Sequence, residues 1–576
     1  MSDLSTLPPL LLPSPRQLTL TGGTVRSGEP VDIGAQVIAL TGDEAYHLAI
    51  TSDGIRWAWR SAAGRRHAAA TLAQLRVQYG DTLPCLVIDD APVFAKRGVM
   101  LDISRDRVPT MAHLYELVDT LASWKMNHLQ LYTEHTFAYV GHDDVWRDAS
   151  PMTADEVRAL NVYCRERGIE LAANQNCFGH LASWFKHSRY APLAEIAPTG
   201  TWDFNGLVTR TGGFSLCPSD PRSLALVDDL LGQLLPNFSS PLVNIGCDET
   251  FDLGQGRSRY EVSRRGRAAV YLEFVAKVCA LAKKHGKRPQ FWADIALEHP
   301  EALSQLPDNL IGLAWGYEAD APFAKWCDQL RTAGREVWVC PGTSCWRSIT
   351  GRTTERRGNM LAAARDGASN GAAGYLVTAW GDLGHRQQWP ITLHALAEGA
   401  HRAWSGELPY DPRTSSLHAF ADHLLHVGTW LDRIGDLDLN LRKIGGRPDS
   451  DNRSQPLRNA SALFTDSTKG LGETWLPDLA EWNRAKPTSE APPTVSSSII
   501  TAEFRHLADT VEALWLRGFL RRQKTDQQKK LRLLADMNFK PLLAEYRRLW
   551  LARSRPGGLD ASCAHYQRLI DELEAV

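Results

Sequence analysis

A chain of 576 residues is too long for one hydrophobic core and suggests roughly two to four domains. Its 43% apolar and 23% charged residues, with a net charge of -2, describe an ordinary globular protein and give no electrostatic ground for nucleic acid or a membrane surface as partner. No apolar run is long enough to span a bilayer, and the opening MSDLSTLPPLLLPSPRQLTL lacks the basic n-region, apolar core and cleavage site of a secretory leader. Ten cysteines stand singly, without metal-finger spacing, which suits buried free thiols in a reducing compartment. The expected location is therefore cytoplasmic.

Residues 1–95 are expected to form a small α+β domain. Strand-like segments QVIAL (36–40), YHLAITSDGIRWAW and CLVIDD flank one helical stretch, AAATLAQLRVQYG. From 96 to 405 short apolar runs alternate with amphipathic stretches. The runs are RGVMLDI (97–103), NHLQLYT (127–133), IELAANQ (169–175), LVNIGC (242–247), RPQFWAD (288–294), NLIGLAW (309–315), EVWVCP (336–341) and GYLVTAW (374–380).

Between the runs, Leu114, Leu117, Val118 and Leu121 recur at helical spacing, as do Leu224, Val227, Leu230, Leu231 and Leu234. Thr153 and Glu156 form a capping-box pattern ahead of Val157, Leu160 and Cys164. Eight buried-type strands, each followed by helix, predict an α/β fold, a (β/α)8 TIM barrel, with its active site at the strand C-termini. Asp102, Glu134, Gln175, Asp248, Asp294, Trp315 and Trp380 fall at or just past those ends.

After 405 the strands stop, and 406–576 reads as a helical region. AFADHLLHVGTWLDRIG and 501–555 are helical in pattern, separated by loop-like stretches at 445–456 and 486–498. The Arg- and Lys-rich face of 505–555 is a solvated helix surface, since no aromatic or glycine interleaving accompanies it. Packing on the barrel, extension of a cleft and a homodimer contact all stay open for this region.

Asp248 and Glu249 stand side by side where the apolar run LVNIGC ends. Neighbouring side chains of a strand point to opposite faces, so both acids reach one pocket only if the backbone turns there. Two carboxylates at a tryptophan-rich barrel mouth point to glycoside chemistry. The usual pair of acids flanks the bond from different segments, at about 5 Å or 6.5–9.5 Å, an arrangement that consecutive residues suit poorly. They suit instead a mechanism in which the substrate's own 2-acetamido oxygen attacks the anomeric carbon. One acid then stays charged to serve the acetamido group, and the other stays protonated to serve the leaving group. A divalent metal would draw on Asp248, Glu249, His180 and Asp294, but the acid-pair reading requires neither metal nor organic cofactor.

RGVMLDISRDRVPT (97–110), MNHLQLY (126–132), LCPSDP (216–221), VNIGCDE (243–249) and AWGD (379–382) together resemble glycoside hydrolase family 20, the β-N-acetylhexosaminidases. YTEHTFAY (132–139), NQNCFGHLASWFKHSRYAPLAE (174–195) and GCDETFDLGQGRS (246–258) resemble its hexosaminidase D-like branch more closely. The resemblance runs in order through about residues 40 to 405. It implies a retaining exo-β-N-acetylhexosaminidase acting on glycans that end in N-acetylhexosamine, with Asp248 as acetamido polariser and Glu249 as general acid/base.

The same resemblance makes Arg97 the arginine that grips sugar hydroxyls, His180 a histidine behind the acids, and Trp292, Trp315 and Trp380 the acetamido pocket, with Trp346 a fourth ring. Asp294 stands with these as a substrate-side acid. Three departures are informative. Glu134 stands where secreted members carry an aspartate-rich segment, and CPGTSCWRS lacks the tyrosine usual after strand seven, leaving Tyr317 as candidate for that hydroxyl. Asp382 replaces a glutamate that binds the distal hydroxyls, so the sugar configuration is open. A barrel of this type that binds N-acetyl sugars without turnover and a metal-assisted hydrolase are the competing readings.

Overall fold

The computed structural model describes residues 4–34, 40–445, 457–470, 477–488, 490–524, 526, 529, 532 and 539–574. The N-terminal unit is a five-stranded sheet of β1 (Gln17–Arg26), β2 (Val31–Asp32), β3 (Tyr46–Thr51), β4 (Gly54–Trp59) and β5 (Thr82–Asp90), in the order β1-β5-β3-β4-β2. Helix Ala62–Tyr79 covers it, capped by the Ser61 side chain, and Leu48, Ile50, Leu72, Leu75 and Ile88 form its core. β1 was not foreseen: it is almost wholly exposed and interrupted by Gly22 and Gly23, so no buried periodicity announces it. The expected strand QVIAL lies, except for Leu40, outside the described residues.

The eight apolar runs become eight parallel strands that close into a barrel. The first three are β6 (Lys96–Asp102), β7 (His128–Tyr132) and β8 (Glu170–Asn174). A hairpin, β9 (Thr201–Phe204) and β10 (Val208–Thr211), interrupts the alternation. The barrel resumes with β11 (Leu242–Asn244), β12 (Arg288–Trp292), β13 (Ile311–Trp315), β14 (Glu336–Cys340) and β15 (Gly374–Ala379). Closure is made by β15 pairing with β6 in register from Gly374↔Lys96 to Ala379↔Leu101. The predicted helices form between strands. Met111–Ser123 buries Leu114, Leu117, Val118 and Leu121, and Ala154–Glu166 begins with the Thr153–Glu156 capping box formed in both directions.

Trp404, from the last barrel helix Trp389–Ser405, inserts into the core of the N-terminal unit and donates its indole N–H to Asp90 at 2.9 Å. Lys125, fully buried, reaches the same carboxylate at 3.1 Å. The C-terminal helices Pro412–Phe420, Val427–Gly435, Ser498–Arg522, Phe539–Arg553 and Leu559–Glu574 wrap back onto the barrel. Their last pair braces the loop after β6: Thr110 donates its backbone N–H to Arg553 O at 2.9 Å and Arg555 to Val108 O at 2.8 Å. Tyr546 ties the loop after β15 by donating to His385 O at 2.7 Å. Most of the chain between 522 and 539, within the stretch expected to be helical, lies outside the described residues, as do 446–456 of the loop-like stretch at 445–456. All ten cysteines are buried and free. Among the described residues no helix is long and apolar enough to cross a membrane.

Candidate active site

A cavity of about 730 Å³ opens at the C-terminal face of the barrel. Glu134, His180, Asp248, Glu249, Trp292, Trp315, Tyr317, Trp346, Trp380 and Asp382 all line it. The adjacent acids meet there because the strand stops early. β11 ends at Asn244, and Gly246, Cys247 and Glu249 then take positive φ values of 69°, 74° and 52°. This left-handed stretch, costly for residues other than glycine, breaks the alternation that would send the two side chains apart. Glycine is obligatory at 246, where a Cβ would lie 1.7 Å from Asn176 Oδ1. The turn is pinned from both sides. Tyr271 donates to Cys247 O at 2.8 Å, and the backbone N–H of Glu249 donates to Asp294 Oδ2 at 3.0 Å.

The two acids sit in different electrostatic settings. His180 Nε2 lies 3.2 Å from Asp248 Oδ2 and 3.5 Å from Glu249 Oε2. Burial opposes a charged imidazole, but the Asp248 carboxylate beside it, with Glu249 beyond, outweighs burial and lifts the His180 pKa to about 9. His180 is thus a cation at neutral pH, and it compensates Asp248. Glu249 is pushed up from the usual carboxylate range, first by burial and then by the negative charges of Asp248 and Asp382, against the opposing pull of His180 and Arg210. Asp294, behind the pair and half-buried, is raised well above the usual range by burial and by Asp248.

The sequence expectation for Arg97 is corrected. Its guanidinium is 0% exposed at the opposite, N-terminal end of β6, where it donates to Glu44 Oε2 at 2.5 Å, Lys125 O at 2.9 Å and Phe94 O at 2.8 Å. A residue that opens a barrel strand faces the floor of the barrel, far from the strand C-termini. The arginine that lines the cavity is Arg105, in the loop that follows the same strand. It lies 3.0 Å from Asp102 Oδ2, 3.0 Å from Glu134 Oε1 and 3.2 Å from His180 Nδ1, with its guanidinium over the rings of Tyr132 and Trp380. Glu134 therefore supports the pocket through Arg105 and also accepts the Tyr132 hydroxyl at 2.9 Å.

The rings form one continuous wall. Trp292 and Trp380 have centroids 5.7 Å apart, Trp315 stacks on Tyr317 at 5.3 Å, and Trp346 meets Tyr317 edge-on at 4.8 Å. Tyr317 accepts the Trp380 indole N–H at 2.5 Å, which orients its hydroxyl at the pocket wall.

Sequence reasoning also missed the β9–β10 hairpin, which brings Trp202, Phe204, Leu207 and Arg210 to the cavity. Its signal was present as Asn205-Gly206, both with positive φ, between alternating segments. Gln255, in the loop after the acid pair, exchanges hydrogen bonds of 2.9 Å with the backbone of Asp203 and so ties the hairpin to the acids. Arg347 and Asn459 complete the rim. Asn459 comes from the C-terminal region, held there by the Ser461 N–H on Arg347 O at 3.0 Å. The C-terminal region thus both packs on the barrel and reaches the cavity. Among the described residues no group of three or more His, Cys, Asp or Glu side chains is arranged to hold a metal ion.

The paired acids and the wall of indole rings occupy the C-terminal face of a closed (β/α)8 barrel, the end at which this fold carries its active sites. The family description "Glycosyl hydrolase family 20, catalytic domain" matches residues 94–360, a segment that holds the barrel strands β6 to β14 and both acids of the pair. It is 28% identical over 322 residues to a beta-hexosaminidase of Akkermansia muciniphila, covering 50% of this chain and 63% of that protein. It is 25% identical over 238 residues to human hexosaminidase D, covering 39% of this chain and 46% of that protein. The matched segments thus span less than two thirds of either relative. Among solved structures, the chitobiase of Flavobacterium johnsoniae shares the fold with a TM-score of 0.58 at 18% identity, over 98% of this chain and 93% of that one.

Proposed function

We propose that this protein is a retaining exo-β-N-acetylhexosaminidase that removes terminal β-linked N-acetylhexosamine by substrate assistance. The observation that carries the reading is that two consecutive carboxylates enter one cavity in opposite electrical settings, Asp248 against the His180 cation and Glu249 half-buried and pushed up. In the first step the acetamido oxygen attacks the anomeric carbon. Asp248 accepts the amide N–H and compensates the positive oxazolinium ion, while Glu249 gives its proton to the departing glycosidic oxygen. In the second step Glu249 takes a proton from water, which opens the oxazolinium at the same carbon and leaves the configuration retained. The methyl group and the sugar face pack on Trp292, Trp315 and Trp380. Tyr317 offers its hydroxyl to the acetamido oxygen, and Arg105 and Asp382 hold the distal hydroxyls.

The test is release of nitrophenol from the β-linked N-acetylglucosamine, N-acetylgalactosamine and glucose derivatives, with and without EDTA. Turnover is expected on the N-acetyl sugars only, unchanged by EDTA, and Glu249→Gln should lower kcat by about a thousandfold. Efficient cleavage of the plain glucoside would sink the mechanism. Binding of N-acetyl sugars without turnover would make the protein a lectin-like barrel, and loss of activity in EDTA a metal-assisted hydrolase.

A further inference from the structure

The ionisable groups that line the cavity do not all balance one another. Arg105 is taken up by Asp102 and Glu134, and His180 by Asp248. Arg210 and Arg347 line the same cavity, and neither side chain has a hydrogen-bond or ion-pair partner among the described residues. The lining acids left to oppose them are Glu249 and Asp382. The mechanism proposed above, on which this inference rests, needs Glu249 protonated before attack. Two guanidinium charges then face one carboxylate.

Arg210 is built into its place. It pairs with Trp202 across the β9–β10 hairpin, and Trp202 and Phe204 pack in one cluster with Ile196 and Phe214. Its guanidinium lies over the Phe204 ring, 3.7 Å from the centroid, and 5.4 Å from that of Phe214. Such a contact uses the face of the group and leaves the N–H donors at its edge free for a ligand. Burial works against the charge of Arg210 and nearby Glu249 supports it, a support that ends when Glu249 takes up its proton. Arg347 is fixed through its backbone, where Ser461 donates to its carbonyl.

A guanidinium offers donors and no acceptor, so its full complement is a group that only accepts and carries the opposite charge, an oxyanion. A sugar hydroxyl would satisfy the hydrogen bonds and leave the charge. Both arginines act electrostatically on Asp382, which with Arg105 holds the distal hydroxyls in the complex proposed above. On a terminal N-acetylhexosamine those are the hydroxyls at C3 and C4, and the one at C6 is left. We infer that Arg210 and Arg347 form a subsite for a sulfate or phosphate ester at C6 of the terminal sugar, and that the enzyme prefers such charged sugars to the plain one.

The experiment measures kcat/KM on nitrophenyl N-acetyl-β-glucosaminide and on its 6-sulfate and 6-phosphate, for wild type, Arg210→Met, Arg347→Met and Arg210→Lys. The ratio of ester to plain glycoside is the readout, because it cancels effects of a variant on folding or on Glu249. Wild type should favour one ester by about tenfold, and that ester identifies the anion. The preference should shrink with added sodium chloride. Arg210→Met and Arg347→Met should each lower the ratio by about tenfold, mainly through KM, and Arg210→Lys should keep part of it. Equal or lower kcat/KM on both esters, or a preference that survives both methionine variants, would overturn the subsite and leave the hexosaminidase reading intact. If wild type turns over none of the three, calorimetry with N-acetylglucosamine, its 6-sulfate and its 6-phosphate decides. Tighter binding of an ester would keep the subsite and overturn the hydrolase, whereas equal or weaker binding would overturn both.

Discussion

The two ends of the barrel carry two arginines of the same strand-and-loop segment, one buried and one partly exposed, and they do different work. At the floor, Arg97 is spent on backbone carbonyls and on Glu44 of the N-terminal unit. At the mouth, Arg105 joins Asp102, Glu134 and His180 and lines the cavity. Residue type does not tell them apart. The direction of the strand does: in a parallel barrel the start of every strand is structural and the end is available for chemistry.

Conservative substitution should break this pair cleanly. Arg105→Lys keeps the charge but loses the planar fork that joins Asp102 to Glu134, and kcat/KM should fall about a hundredfold with the thermal midpoint little changed. Arg97→Lys should do the reverse. Activity per folded molecule should stay near wild type, while the loss of the fork's bidentate grip on Glu44 and of its contacts with three backbone carbonyls destabilises the protein by about 3 kcal/mol. Initial rates and thermal melts on the two variants decide the matter, and a larger activity loss in Arg97→Lys would return the sugar-gripping role to the floor arginine.

A second contrast lies within the mouth, between Asp248 and Glu249, to which the proposed mechanism gives different work. His180 opposes the upward shift of Glu249, which burial causes and the charges of Asp248 and Asp382 reinforce. In His180→Asn that opposition is gone, so Glu249 should hold its proton to higher pH and the alkaline limb of kcat/KM should move upward. Turnover should fall by about tenfold as well, since Asp248 loses the cation beside it. A pH–rate profile whose alkaline limb is unmoved or falls would show that Glu249 is not the group that titrates there.

The same contrast of ends explains what was legible in the sequence. The barrel strands are buried on both faces, so each appears as a continuous apolar run, and all eight were found in order. The Thr153–Glu156 box and the stripes of Leu114 and Leu230 are local patterns and form as their spacing requires. Arg105, Arg210 and Asn459 were missed for a different reason: their importance comes from where loops and a distant helical region are docked, which local periodicity does not encode. Arg97 was misplaced because a motif match took no account of the end of the strand on which the residue falls. The left-handed turn at Gly246 and Cys247 was foreseen only in outline, as a need for the backbone to leave the strand before Asp248.

The smallest expected effect concerns stability at the two ends as pH changes. His180, at the mouth, has a folded-state pKa of about 9 against an ordinary value of 6.5. A group whose pKa is raised on folding contributes stability that is complete below the unfolded value and fades as pH rises through the folded one. The imidazole should therefore add on the order of 3 kcal/mol below pH 6.5, a contribution lost progressively by pH 9. Above that pH a neutral ring would keep its Nε2–H toward Asp248 and accept the Arg105 hydrogen bond at Nδ1. Arg97 stays protonated throughout this range and carries no such dependence. The thermal midpoint of His180→Asn should thus lie furthest below wild type near pH 6 and approach it near pH 9.5, whereas the deficit of Arg97→Lys should stay level. A gap in His180→Asn that widens with rising pH would mean that the ring is neutral in the folded protein, and that Asp248 is compensated by Arg105 rather than by its nearest neighbour.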